Sequence, residues 1–176
     1  MTKLRIFWVS AAFAALVGIV LAFVPLLAVH GVESALALGL LLPPWVAATA
    51  ASYVARHRNE RGLDLMLKAT GTGLLLWVIP VALLALSALR VRQCAPGEGL
   101  AFMVLGPAVG CTLAGCIGVW IAATTVRPKW APWLAALVPV GAALLGLLAF
   151  YATPTVYVFG AFAGYFPGAI YDDLVQ

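Results

Sequence analysis

Five long apolar runs, at 6–29, 35–55, 69–89, 100–123 and 131–151, alternate with short polar stretches, and none contains Asp, Glu, Lys, Arg or His. At about 1.5 Å of rise per residue, even the shorter runs reach about 31 Å, the thickness of a bilayer's hydrocarbon core. A segment surrounded by lipid has to satisfy its backbone polar groups internally, which predicts a helix for each run. The expected fold is therefore an all-α integral membrane protein, with a five-helix bundle over 1–151. The loops at 30–34 and 90–99 are short, so consecutive helices are expected to pack as antiparallel hairpins.

The remaining stretch, 152–176, breaks the pattern. Eight aromatics fall between Phe150 and Tyr171, interrupted by Pro154, Pro167, Gly160, Gly164 and Gly168. This aromatic tail is expected to be an interfacial or re-entrant segment on the outer face. Tyr151, Tyr157, Tyr165 and Tyr171 are suited to the headgroup level. A sixth span is the alternative, and it would return Asp172 and Asp173 to the cytoplasm. Val156, Tyr157, Val158 and Phe159 have strand-like composition, and extended structure there would have to lie at the surface or against the bundle.

Composition agrees with lipid as the solvent: 65% of the 176 residues are hydrophobic and 9% charged, and mean hydropathy is +1.10. Ten basic residues against six acidic ones give a net charge of +4. They are scattered through loops and form no groove for nucleic acid. Lys3, Arg5, Arg56, Arg58, Arg61, Lys68, Arg127 and Lys129 fall on one side of the alternating spans, leaving Arg90 and Arg92 on the other. The positive-inside rule then predicts a cytoplasmic N-terminus, a multi-pass location in a bacterial inner membrane, and a tail facing outward. The run before 30 is too long for a signal peptide's apolar core and is expected to remain as the first span. The basic loop 56–68, with Asp64 and Lys68 one helical turn apart, reads as a solvated helix extension or as a contact for anionic headgroups.

Within the spans the clearest pattern is in the fourth, where Gly106, Gly110, Ala114, Gly118 and Ala122 recur every four residues. Such a small-residue ridge lets backbones approach closely, inside this bundle or across a homo-oligomer seam. Every span carries proline (Pro25, Pro43 with Pro44, Pro80, Pro107, Pro139), either merely tolerated by membrane helices or splaying one half of the bundle around a cavity. Cys111 and Cys116 read as small packing residues. Cys94, in a loop, reads as a lone thiol or an intermolecular partner.

No nucleophile–base–acid set is apparent, and no cofactor or metal site is expected. His30, Glu33, Glu98 and the arginines Arg90 and Arg92 share the outward loops, and Asp172–Asp173 supplies too few donors for a specific cation site. Ionisable groups are missing from the spans, which argues against a proton-coupled path.

The run Thr153-Pro154-Thr155-Val156-Tyr157, then Phe162, Gly164-Tyr165-Phe166-Pro167-Gly168 and Tyr171-Asp172-Asp173, resembles a junction in large myxobacterial-type membrane proteins. There a multi-span N-terminal region continues through a similar segment into a peptidase-like or helical-repeat extracytoplasmic domain. The resemblance covers about twenty residues closely, and this chain continues only three residues beyond Asp173. It implies either the membrane part of a longer protein or a homologue acting without the rest. No HExxH is present, so no catalytic residue is carried over. The favoured expectation is a non-catalytic anchor or assembly module embedded in the bilayer. Its docking residues would be Tyr157, Phe162, Gly164, Tyr165, Phe166, Pro167, Gly168, Tyr171, Asp172 and Asp173, positioning an extracytoplasmic domain or partner. The alternatives are a small transporter or channel subunit, lined by Ser10, Thr49, Ser52, Thr70, Thr72, Ser87 and Thr112, and a lipid-modifying enzyme using His30, Glu33, Glu98 and Asp172.

Overall fold

A computed structural model of the chain describes residues 2–57, 61–90, 96–152 and 157–167. The helices are α1 (Thr2–Phe23), α2 (Val32–Arg56), α3 (Gly62–Ser87), α4 (Pro96–Met103), α5 (Val109–Thr124) and α6 (Ala131–Ala152). A π-helical turn, Val104–Ala108, joins α4 to α5, so Pro96–Thr124 runs as one continuous rod. Five of the helical segments are long and apolar enough to cross a membrane. A short antiparallel hairpin, β1 (Tyr157–Gly160) and β2 (Gly164–Pro167), follows α6.

The ends of the helices differ from the expected ones for local reasons. α1 stops at Phe23 instead of continuing to 29. Pro25 has no backbone N–H and disfavours helical geometry at Val24, so the chain turns there and Pro25 lies exposed outside the helix. Gly31 then opens α2: its N–H donates to the Ser34 hydroxyl oxygen at 3.0 Å, and that hydroxyl donates to the Val29 carbonyl at 2.7 Å. α3 begins early, at Gly62, with Asp64 complementing the dipole in its first turn.

α2 is the hub. It packs along the α4–α5 rod on one side and α6 on another, while α1 lies mainly against α3 and α3 against α5. The hairpin packing expected of consecutive helices is seen for α3 against the α4–α5 rod, whereas α1 against α2 departs from it. α1 and α2 touch little, and the larger contacts join α1 to α3, and α2 to the rod, as parallel pairs. Gly18 meets Pro80 on one such line, and Gly118 meets Ala47 on the other. The core between these helices is made of Leu38, Leu42, Val46, Leu76, Leu84, Met103 and Cys111.

Arg5, Arg56, Arg61, Arg127 and Lys129 collect at one end of the bundle, here called the basic end. The opposite end is tied by the α1–α2 connection to α3. Ser87 donates its hydroxyl to the Ala28 carbonyl, and His30 Nε2 lies 3.2 Å from the Val81 carbonyl, a pairing that needs the proton on Nε2.

Prolines 43, 80, 107 and 139 are inside helices and buried. Each removes one helical donor and strands the carbonyl four residues earlier. At Pro107 that carbonyl belongs to Met103. The π turn shifts the local ladder to partners five residues back, and Trp77 of α3 donates its indole N–H to the Met103 carbonyl at 3.1 Å. Trp77→Phe is expected to destabilise the bundle by about 1 kcal/mol. In a Pro107→Ala background, where the helix regains its own donor, the same change should cost less than half as much. Reversible denaturant titration of the four proteins in micelles measures both values, and equal costs in the two backgrounds would contradict this account.

Candidate functional site

Beyond α6 the chain turns back into the bundle. Tyr157 pairs with Pro167, Val158 with Phe166, Phe159 with Tyr165 and Gly160 with Gly164, so both strands run to a tip at Ala161–Ala163. Gly164 holds φ at 86°, a left-handed value that glycine adopts without the Cβ penalty other residues meet. The segment expected to be interfacial or re-entrant forms, over 157–167, a hairpin packed against α2, α6 and the π turn.

The tip sits in a notch made by glycines on two helices. The Phe162 carbonyl occupies the space that a Cβ on Gly110 would need, and a Cβ on Gly39 would come within 2.8 Å of Ala163 Cα. Gly106 faces Gly164 across the π turn, and Pro139, Ala142 and Ala143 of α6 close the other side. Phe162 is only 6% exposed. Counting about 1.5 Å per residue, Gly110 lies about 20 Å along the rod from Pro96, and Pro139 lies about 20 Å back from the end of α6. The tip thus reaches about half-way down the bundle.

Strand edges are poorly tolerated away from water because their unpaired N–H and C=O groups have no partner. Here the two strands bond to each other, β1 lies on α6, and β2 lies on α2 and the π turn. The enclosure is backbone against backbone, possible only where side chains are missing.

The sequence-predicted residues divide accordingly. Gly106, Gly110, Ala114, Gly118 and Ala122 are all buried. Gly106 and Gly110 receive the hairpin, whereas Gly118 receives Ala47 of α2. Tyr157, Phe162, Gly164, Tyr165, Phe166 and Pro167 belong to the hairpin and its turn, with Phe162 pointing into the bundle. Gly168, Tyr171, Asp172 and Asp173, like Arg58, Arg92, Cys94 and 153–156, lie outside the described residues. Gly39, which forms one wall of the notch, carried no sequence signal beyond being a lone glycine among leucines.

Groups considered for chemistry are dispersed. His30 is engaged with Val81, Glu33 and Glu98 stand in the first turns of α2 and α4, and Arg90 lies 5.7 Å above the Phe23 ring. Thr49, Thr72 and Thr112 donate to carbonyls of their own helices, Ser87 has its hydroxyl within reach of both Leu84 and Ala28 carbonyls, and Thr70 lies 3.7 Å from Cys116 Sγ. Such back-bonding consumes hydroxyls that would otherwise line a polar path. Among the described residues no three His, Cys, Asp or Glu side chains gather as a metal site. A cavity of about 370 Å³ lies between α2, the rod and the tip, walled by Ala35, Leu36, Phe102, Leu105 and Ala163.

No protein-family profile, curated protein or solved structure matches the chain.

Gly110→Val places a branched side chain where the Phe162 carbonyl lies, whereas Gly141 has open space around it. The first change is expected to raise amide hydrogen exchange across 157–167 by at least about tenfold, through loss of the docked state. Gly141→Ala should leave it unchanged. Equal protection in the two variants would show that the notch does not hold the hairpin.

Proposed function

We propose that this chain is a multi-pass membrane module, N-terminus in the cytoplasm, whose docked hairpin fixes the point at which the chain leaves the bilayer on the far side. What it does there is non-catalytic: it anchors and orients an extracytoplasmic domain or partner. The observation that carries this reading is the seating of the hairpin tip against Gly39 and Gly110.

Several features support the setting. Leu144, Leu145, Leu147, Leu148, Trp133 and Leu137 of α6 are exposed, an apolar face far larger than water tolerates. The basic end gathers the arginines and lysines that the positive-inside rule keeps in the cytoplasm. A hairpin enters and leaves by the same face, which favours five crossings over six. The resemblance of the tail to junctions preceding extracytoplasmic domains in myxobacterial-type proteins agrees with this direction of exit, and with a bacterial inner membrane.

Two measurements test the proposal. Alkaline phosphatase, active only outside the cytoplasm, is expected to be active when fused after Gln176 and inactive when fused after Pro128. The opposite pattern would remove the orientation. For the positioning role, spin-label distances between the bundle and a folded domain fused after Gln176 should be narrowly distributed in the wild type and broad in Gly110→Val. Distributions of equal width would show that the hairpin positions nothing.

A further inference from the structure

At the basic end α1 and α2 part company, because α1 leans on α3. Between them lies an open groove of about 390 Å³, within the range of small-ligand clefts, about 300–1,000 Å³. Arg5 and Arg56 stand at its mouth, one from each helix. Among the described residues no Asp or Glu lines it, and neither guanidinium has an ion-pair partner.

Along α2 the lining changes with depth. Ser52 lies about 6 Å inward from Arg56, Thr49 about 10 Å and Trp45 about 16 Å, at about 1.5 Å per residue. Along α1, Ile6 and Val9 lie about 2 Å and about 6 Å inward from Arg5 on the same count. The floor is closed where Phe13 stacks on Trp45, ring centroids 4.3 Å apart and planes at 19°. Two forked cations, the Ser52 hydroxyl below them, hydrocarbon from Ile6 and Val9 alongside and an aromatic floor match a phospholipid read from phosphate through ester to acyl chain.

We propose that this groove is a binding site for an anionic phospholipid of the adjoining leaflet, with Arg5 and Arg56 holding the headgroup phosphate and the Val9–Trp45 trough taking the upper acyl chain. The site rests on the membrane reading given above, and it is separate from the hairpin at the other end. A lipid seated there would fill the gap between two helices that share little direct contact, and so couple the lie of α1 to the composition of the leaflet.

The test uses the full chain, purified in mild detergent and exposed to equal phosphatidylglycerol and phosphatidylcholine, with retained lipid counted by native mass spectrometry. The wild type is expected to retain phosphatidylglycerol preferentially. Arg5→Gln/Arg56→Gln should lower that preference about tenfold. Arg127→Gln/Lys129→Gln, which removes equal charge from the same end but outside the groove, should leave it intact. Ala48→Trp, filling the groove without touching the arginines, should reduce retention as well. Millimolar inorganic phosphate should not displace the lipid; displacement would mark a soluble-anion site and overturn the proposal. So would an absence of headgroup preference in the wild type, or equal losses in the two charge variants. Carbonate extraction of the wild type from membranes separates the two levels: protein that stays in the membrane but shows no preference loses the lipid site alone, whereas protein that is extracted loses the membrane reading and the site with it.

Discussion

Away from water, every backbone N–H and C=O has to find its partner within the protein. Helices meet that demand along most of this chain, and the informative places are those where they cannot. Pro107 strands the Met103 carbonyl, and the chain responds with a π turn and an indole donor from α3. The same turn sits beside the hairpin, so one irregularity relieves the proline and shapes the receiving surface for β2. The hairpin meets the demand differently, by pairing its strands with each other and presenting its tip to glycine backbone.

The two ends of the bundle have separate tasks under this view. The end opposite the basic one is stitched together by Ser87, His30 and Ser34, each reaching a carbonyl of another segment or of the turn before α2. The basic end is looser, with α1 and α2 separated by a groove and bolted only deeper, at Phe13 and Trp45. Rigidity at one end and an open, cation-rimmed cleft at the other suit a module held by lipid on one face and presenting a fixed exit on the other.

The long helices were legible because charge-free runs of bilayer length leave little choice, and five such helices are present. Their ends were less so: the run to 29 conceals Pro25, whose effect is local while the hydropathy is not. The tail's spacing alone does not distinguish helix from strand. Gly160, Gly164 and Gly168 recur every four residues like a helical stripe, yet Gly160 and Gly164 face each other across a strand pair. Tyr157-Val158-Phe159 and Tyr165-Phe166 on either side of a glycine-bounded turn were the better signal, the ordinary composition of a hairpin. The glycine ridge could be read from its period, but not which element it receives, since a sequence gives no partner for a groove. Trp77 with Met103, Gly39 with Ala163, and Arg5 with Arg56 are long-range meetings that no local pattern announces.

The central claim is that the hairpin tip lies at the level of the hydrocarbon core while its two ends stay at the surface. A spin label at Ala161→Cys, an exposed position at the tip, measures this directly in reconstituted bilayers. The account predicts strong relaxation by dissolved oxygen and weak relaxation by a water-soluble nickel chelate, as at the bilayer centre. Collision with the chelate as frequent as that of a label at Gly97→Cys, in the exposed first turn of α4, would contradict it.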